Sequence, residues 1–200
     1  IISVLMDYTN ELYLHKTKNI LLPLGGYYNN WSDEENDEIL LESYVKKNVN
    51  VERDTLHKFR KYFKHVGQIT PDKFTENLNS LRNLIDSNLP IIFINGAELE
   101  SPNPKEKLAL SRHLIMNKTL DKFIEKSDNT FLLDVREIVT NSKQLLNNIR
   151  HYDRESCKKL SLELLSILNS KVDNSIKISV KSKFKEKGII KLLRKLKNKI

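Results

Sequence analysis

The chain has 200 residues, of which 39% are hydrophobic and 30% are charged, a composition typical of a globular domain rather than a disordered segment. No apolar run approaches the roughly 18 residues that a membrane-spanning helix needs, which excludes a spanning segment in this sequence. The single cysteine, Cys157, excludes an internal disulfide and fits a reducing compartment, and its apolar neighbours predict a small core residue.

The net charge of +8 is concentrated at the carboxyl end of the chain. Residues 171–200 hold ten Lys and one Arg against Asp173 and Glu186, a net charge of +9, so the preceding residues carry about −1. A nucleic-acid-binding protein would be expected to line a groove of its folded body with positive charge. The charge distribution therefore argues against nucleic acid as the partner.

The first segment, Ile1–Met6, is a short and continuously apolar run, as expected of a central parallel strand covered on both faces. The polar residues that follow it would emerge at the carboxyl end of the strand, where α/β sheets bind ligands. Because the chain begins directly on such a strand, without an initiator methionine, we expect further strands upstream of Ile1.

The region from about 30 to 88 is predicted to be a helical insertion, serving as a lid or for acceptor binding. Before it, Pro23 predicts an edge strand. Ser32 and Glu35 form the pattern of a capping box, which predicts a helix to about Lys47. The apolar spacing of Val51–Val66 predicts a second helix, and a third is expected to begin with Thr70 as N-cap and Pro71 as its first residue.

From residue 89 onward, apolar strands alternate with helices. Leu89–Ile94 and Thr130–Val135 are predicted strands, and between them a long helix is predicted with Asn103 as its cap. A short helical segment, a turn carrying His151 and a helix to Leu168 follow. Such alternation predicts a parallel sheet between two helical layers, a three-layer α/β/α fold of the flavodoxin-like type that occupies residues 1–170.

The last thirty residues, 171–200, form a separate basic tail. Residues 186–200 have an amphipathic helical pattern with Ile189, Leu192, Leu193, Leu196 and Ile200 on one side. Two interpretations remain open: the helix binds an anionic membrane surface, or it packs its leucine face on the domain and leaves its lysines in water.

The carboxyl-terminal half of the chain resembles a known family. Residues 90–168 contain an Asn-bearing helix at Asn117–Phe123, a strand ending in Asp at Phe131–Val135, and a loop with His151 before the last helix. This order is similar to the carboxyl-terminal half of SGNH (GDSL-type) hydrolases. The run that begins at Asn148, Asn-Ile-Arg-His-Tyr-Asp-Arg-Glu, is similar to members associated with bacterial cell-surface polysaccharides.

The resemblance implies catalytic roles for Asn10, Asn148 and His151. The other histidines lack metal-ligand spacing and the sequence has no glycine-rich phosphate loop, so we expect no metal and no cofactor. His151 would be the general base of a serine nucleophile, and Asn10 would donate to the oxyanion. The family's orienting Asp is replaced by Asn148, which leaves a Ser-His dyad, a carboxylate from Asp153 or Asp134, or a member without activity. Alternatively, Asn10 only caps a turn and His151 only bonds a backbone carbonyl.

Two functions follow from the resemblance. The first is an acyl-ester hydrolase or O-acyltransferase that acts on a bacterial surface glycan, with its serine outside this chain, because Tyr8 stands where that serine would be. The second is a non-catalytic member of the same fold, an accessory or binding protein in surface-polysaccharide assembly or export. Either protein is expected in the cytoplasm or at the inner face of the membrane.

Overall fold

The computed structural model describes residues 1–4, 8, 10–24, 31–32, 34, 37–45, 52–104 and 106–171. The chain divides into two compact units, Ile1–Leu160 and Ser161–Ile200, so the division falls within the last helix and about ten residues before the predicted boundary. The described strands and α-helices, in chain order, are β1 (Ile2–Ser3), β2 (Glu11–His15), β3 (Leu21–Leu24), α1 (Asp37–Val45), α2 (Arg53–Tyr62), β4 (Phe63–Gln68), α3 (Pro71–Leu84), β5 (Ile91–Ile94), α4 (Ala109–Glu125), β6 (Thr130–Leu133) and α5 (Arg154–Lys171). Two short 3-10 helices, Val135–Glu137 and Ser142–Gln144, lie between β6 and α5.

The predicted parallel sheet is present, with the strand order β1-β5-β6. In its register, Phe93 lies between Ile2 on one side and Leu132 on the other. All three strands come from the apolar runs recognised in the sequence, although each strand is shorter than its run. The architecture is therefore mixed α/β, as predicted.

Both faces of this sheet are covered in the described part of the chain. Phe93 packs with Met116 and Leu120 of α4 in the larger apolar cluster, whereas its neighbour Ile94 packs with Val135 and Leu160. Successive side chains of a strand point to opposite faces, so the two clusters lie on the two sides of β5. This double burial explains why the run is continuously apolar instead of alternating.

A second, antiparallel sheet was not predicted. Its strand order is β3-β2-β4, and Pro23 lies on the edge strand β3, as expected of a residue that cannot donate a ladder hydrogen bond. The predicted helix over Val51–Val66 is wrong in its last part, because α2 ends at Tyr62 and β4 begins at Phe63. The ring of Phe63 stacks on that of Phe59 across this junction. Pairing with β2 here overrides the helical spacing.

Of the predicted helix starts that the structure tests here, one is confirmed and one is corrected. Thr70 caps α3 by accepting the N–H of Lys73, and Pro71 is the first helical residue. By contrast, α4 begins six residues after its predicted cap Asn103, whose carbonyl instead accepts the N–H of Glu106 in a turn that buries Glu106.

The first helix, α1, is described from Asp37 onward, and residues 33 and 35–36 before it lie outside the described part. The carboxylate of Asp37 is buried and ion-paired with Arg60 of α2. Hydrogen bonds from Arg60 hold the pKa of Asp37 below its ordinary value. The capping partner expected for Ser32, Glu35, lies outside the described residues.

Cys157 corrects another expectation, since it is exposed on α5 and is not a core residue. The basic tail, residues 172–200, lies outside the described part of the chain. Of the helices that the structure describes, none combines the length and the apolar character that crossing a bilayer requires.

Candidate functional site

Two polar side chains, Asn95 and Asp134, are hydrogen-bonded to each other at the carboxyl edge of the parallel sheet. Asn95 follows β5 and is fully buried. Its amide nitrogen donates to Asp134 Oδ1 at 2.8 Å, and its carbonyl oxygen accepts the N–H of Val135 at 2.7 Å. Because a buried amide needs both partners, Asn95 holds the ends of β5 and β6 together.

Arg136 is the centre of an ion network at the same edge. Its guanidinium forms hydrogen bonds with both oxygens of Asp134 and of Asp121, and it lies 3.4 Å from Glu98 Oε1. Burial alone would raise the pKa of Asp134, but hydrogen bonds from Arg136 and Asn95 lower it below its ordinary value. Asp134 is therefore ionised, and its oxygens are hydrogen-bonded by Arg136 and Asn95. In the described part of the chain, no hydrogen bond joins Asp134 to His151.

Two buried polar residues of α4 bind the loop after β5. Asn117 accepts the N–H of Gly96 at 3.2 Å and donates to the carbonyl of Gly96 at 2.8 Å and to Glu98 Oε1 at 2.9 Å. His113 is fully buried, and its Nδ1 lies 2.7 Å from the carbonyl oxygen of Ala97. Nδ1 must carry the proton to donate to that oxygen, and burial lowers the pKa of His113 below its ordinary value. His113 is thus a neutral structural histidine.

The loop that carries His151 is held at several points. The N–H of Leu146 donates to the carbonyl of His151 at 2.8 Å, and the side chain of Asn148 accepts the N–H of Arg150 at 2.9 Å. Ile149 is fully buried, and its N–H donates to Glu106 Oε2 at 3.0 Å. The buried carboxylate of Glu106 thus anchors the loop two residues before the histidine.

The imidazole of His151 is exposed, and its Nδ1 faces two amide side chains. Asn147 Oδ1 lies at 2.7 Å and Asn148 Nδ2 at 3.3 Å. The shorter contact requires a proton on Nδ1, which leaves the lone pair of the neutral ring on Nε2. The orienting acceptor is therefore Asn147, which sequence reasoning missed although it lies only four residues before the histidine.

Asp153 has a different role from the one considered for it. Its Oδ1 accepts the N–H of Ser156 at 2.7 Å, which makes it the N-cap of α5, and this bond lowers its pKa. No hydrogen bond joins it to His151 in the residues that the structure describes. The helix consequently begins three residues after His151 and not at it.

Asn10 lies just before β2, in the connection from the parallel to the antiparallel sheet. Its side chain is half-buried, and Oδ1 is enclosed without a hydrogen-bond partner in the described chain. Of the three predicted catalytic residues, His151 and Asn148 are in contact. In the described part of the chain, no hydrogen bond joins either of them to Asn10. Tyr8, which stands where the family's serine would be, is fully buried, and residues 5–7 and 9 beside it lie outside the described part.

Within the described ranges, no three His, Cys, Asp or Glu side chains are grouped so that they could hold a metal ion. No protein-family model matches this chain, and neither a curated protein nor a solved structure matches it. The geometry of the chain itself is therefore the basis of the functional proposal.

Proposed function

We propose that this chain is part of an SGNH-like acyl-ester hydrolase or O-acyltransferase that acts on a bacterial surface glycan. The single observation that carries the proposal is the state of His151: an exposed imidazole on an anchored loop, with Nδ1 bonded to Asn147 Oδ1. A general base for a serine must present an unprotonated nitrogen, and here that nitrogen is Nε2.

Asn147 favours the tautomer of His151 that a general base needs, but it stabilises the charged ring less than a carboxylate would. In the serine proteases, replacing the orienting Asp by Asn lowers turnover about 10⁴-fold because the amide favours the wrong tautomer. Here the carbonyl oxygen of Asn147, and not its nitrogen, faces Nδ1, which favours the productive tautomer. An amide still stabilises the imidazolium less than a carboxylate does, so we expect slow turnover.

The test is ester hydrolysis by the full-length protein, with p-nitrophenyl acetate as substrate. His151→Ala is expected to lose most of the activity, because the general base contributes typically about 10²- to 10⁴-fold. His57→Ala, which removes an exposed histidine of α2, is the matched control and should keep the full rate. Equal rates for the two variants would remove the hydrolase proposal.

A second function is favoured by a specific observation. In the part of the chain that the structure describes, neither Asp134 nor Asp153 is hydrogen-bonded to His151, because Asp134 bonds Arg136 and Asn95 and Asp153 bonds Ser156. A non-catalytic accessory protein of the same fold would have no need of an orienting carboxylate. A full-length protein that binds the surface glycan but hydrolyses no ester, with or without His151, would support this alternative.

The tail is proposed to bring the domain to the inner face of the membrane. Residues 186–200 combine an apolar stripe with six basic residues, and each basic residue near an anionic surface contributes about 1 kcal/mol. The full-length protein should sediment with vesicles that contain anionic lipid, and a variant that lacks 186–200 should not. Equal sedimentation would leave the tail without this role.

A further inference from the structure

A cavity of about 460 Å³ opens beside the loop that follows β5. Loop residues Ser101, Asn103 and Pro104 line it on the way into α4, and the helix contributes Leu110 and Leu114. Ligand cavities in proteins usually have volumes of about 300–1,000 Å³. In open α/β sheets, ligands bind outside the carboxyl ends of the strands, which is where a loop after β5 begins.

One residue of the cavity wall also anchors the His151 loop. Glu106 is 2% exposed, and its Oε2 accepts hydrogen bonds from the hydroxyl of Ser101 and from the N–H of Ile149 at 3.0 Å. The N–H of Asn103 in turn donates to Ser101 Oγ at 3.1 Å. The cavity wall and the segment that carries His151 are therefore joined through a single buried carboxylate.

The lining combines apolar and polar groups. Pro104, Leu110 and Leu114 supply apolar surface, and Ser111 supplies a hydroxyl. A sugar ring has the same division, with apolar C–H faces and hydroxyl groups at its edge.

The charge of the lining disfavours an anionic ligand. Among the described lining residues, Glu100 and Glu106 are acidic and Lys107 is basic. The two carboxylates of the lining repel a carboxylate or a phosphate. Sugar hydroxyls, in contrast, can donate hydrogen bonds to carboxylates.

We propose that this cavity binds a neutral sugar ring of the acylated glycan beside the His151 loop. The inference rests on the proposed function and deepens it, since it assigns the position of the glycan and its uncharged character. Glu106 acts as a positioning residue that holds the sugar site and the His151 loop in a fixed position relative to each other.

The experiment measures binding in the His151→Ala variant of the full-length protein, so that an ester probe stays intact. The probe is methyl 6-O-acetyl-β-glucoside, and methyl β-glucuronide is its anionic counterpart. Ser111→Trp places an indole at the cavity without changing Glu106, and Lys118→Trp, two turns further along an exposed part of α4, is the matched control. Binding is followed by the ¹⁵N–¹H shifts of the backbone amides.

We expect the neutral probe to shift the amides of Ser101, Asn103 and Ile149. Ser111→Trp should weaken binding by about tenfold or more, because overpacking a filled site is unfavourable, whereas Lys118→Trp should leave it unchanged. The anionic probe should bind at least about tenfold more weakly than the neutral one. Absence of binding, shifts that lie elsewhere, or equal affinity for both probes would overturn the inference.

The result is separable from the proposed function. With His151 intact, the native protein should hydrolyse p-nitrophenyl acetate whether or not it binds the sugar, because this small ester has no sugar ring. Turnover without sugar binding would reject the inference and leave the hydrolase. Sugar binding without any His151-dependent turnover would reject the hydrolase and favour the accessory protein.

Discussion

Protonation of His113 is predicted to destabilise the fold, because this imidazole is fully buried and neutral. Its Nδ1–H donates to the carbonyl of Ala97, and its Nε2 is enclosed without a partner in the described chain. Burial lowers the pKa of His113 from its ordinary value of 6.5. A charged imidazolium would need a second acceptor at Nε2 and would lose its hydration.

The size of the effect follows from the linkage between proton binding and folding. At pH values below about 6.5, the unfolded chain binds a proton at His113, but the folded chain does not until the pH reaches the lowered pKa. The contribution of this group to stability is therefore complete above pH 6.5 and is lost as the pH falls below it. Between pH 7.5 and 5.5 the loss is up to about 1.4 kcal/mol.

The assay is urea denaturation at pH 7.5, 6.5 and 5.5, for the native chain and for His113→Asn. Asparagine can place an N–H near the position of Nδ1 and does not titrate in this range. The variant should be less stable at every pH because it leaves a cavity, but its stability should fall less between pH 7.5 and 5.5. An equal pH dependence in the two proteins would refute the argument from burial.

Three further predictions concern the elements that frame the site. Arg136→Met should lower the free energy of unfolding at pH 7 by about 2–4 kcal/mol, because Asp134 and the other carboxylates lose their shared cation. Urea denaturation should show this deficit shrinking as the pH falls through the lowered pKa of Asp134, and a constant deficit would contradict it. Gly67→Ala should cost about 1–2 kcal/mol by the same assay, because φ is +84° there although a methyl group has room. Thr70→Ala should lower stability by about 1 kcal/mol and Thr70→Ser by much less, since only the first removes the capping oxygen; equal losses would argue against the cap.

The resemblance identified the His151 loop but not the partners of its imidazole. Asn148 was expected at the position of the orienting residue because it lies three residues before the histidine. In the folded loop, Asn148 accepts the N–H of Arg150, and Asn147 reaches Nδ1 instead. Spacing along a chain does not specify this choice in a turn, because the backbone dihedrals decide which side chain reaches the imidazole.

The sequence alone determined the features that depend on neighbouring residues. Three apolar runs specified the strands of the parallel sheet, since a strand buried on both faces must be apolar throughout. Thr70 with Pro71 specified the start of α3, and Pro23 specified an edge strand, because caps and missing donors act locally.

Only the tertiary structure decided the features that join distant segments. Pairing of β4 with β2 converts Phe63 from a helical to an extended residue, and Glu106 bonds Ile149 across 43 residues. Such contacts form because a buried strand or carboxylate must satisfy its hydrogen bonds wherever the fold supplies a partner. That requirement is set by packing in three dimensions, which is why the anchor of the His151 loop could not be found along the chain.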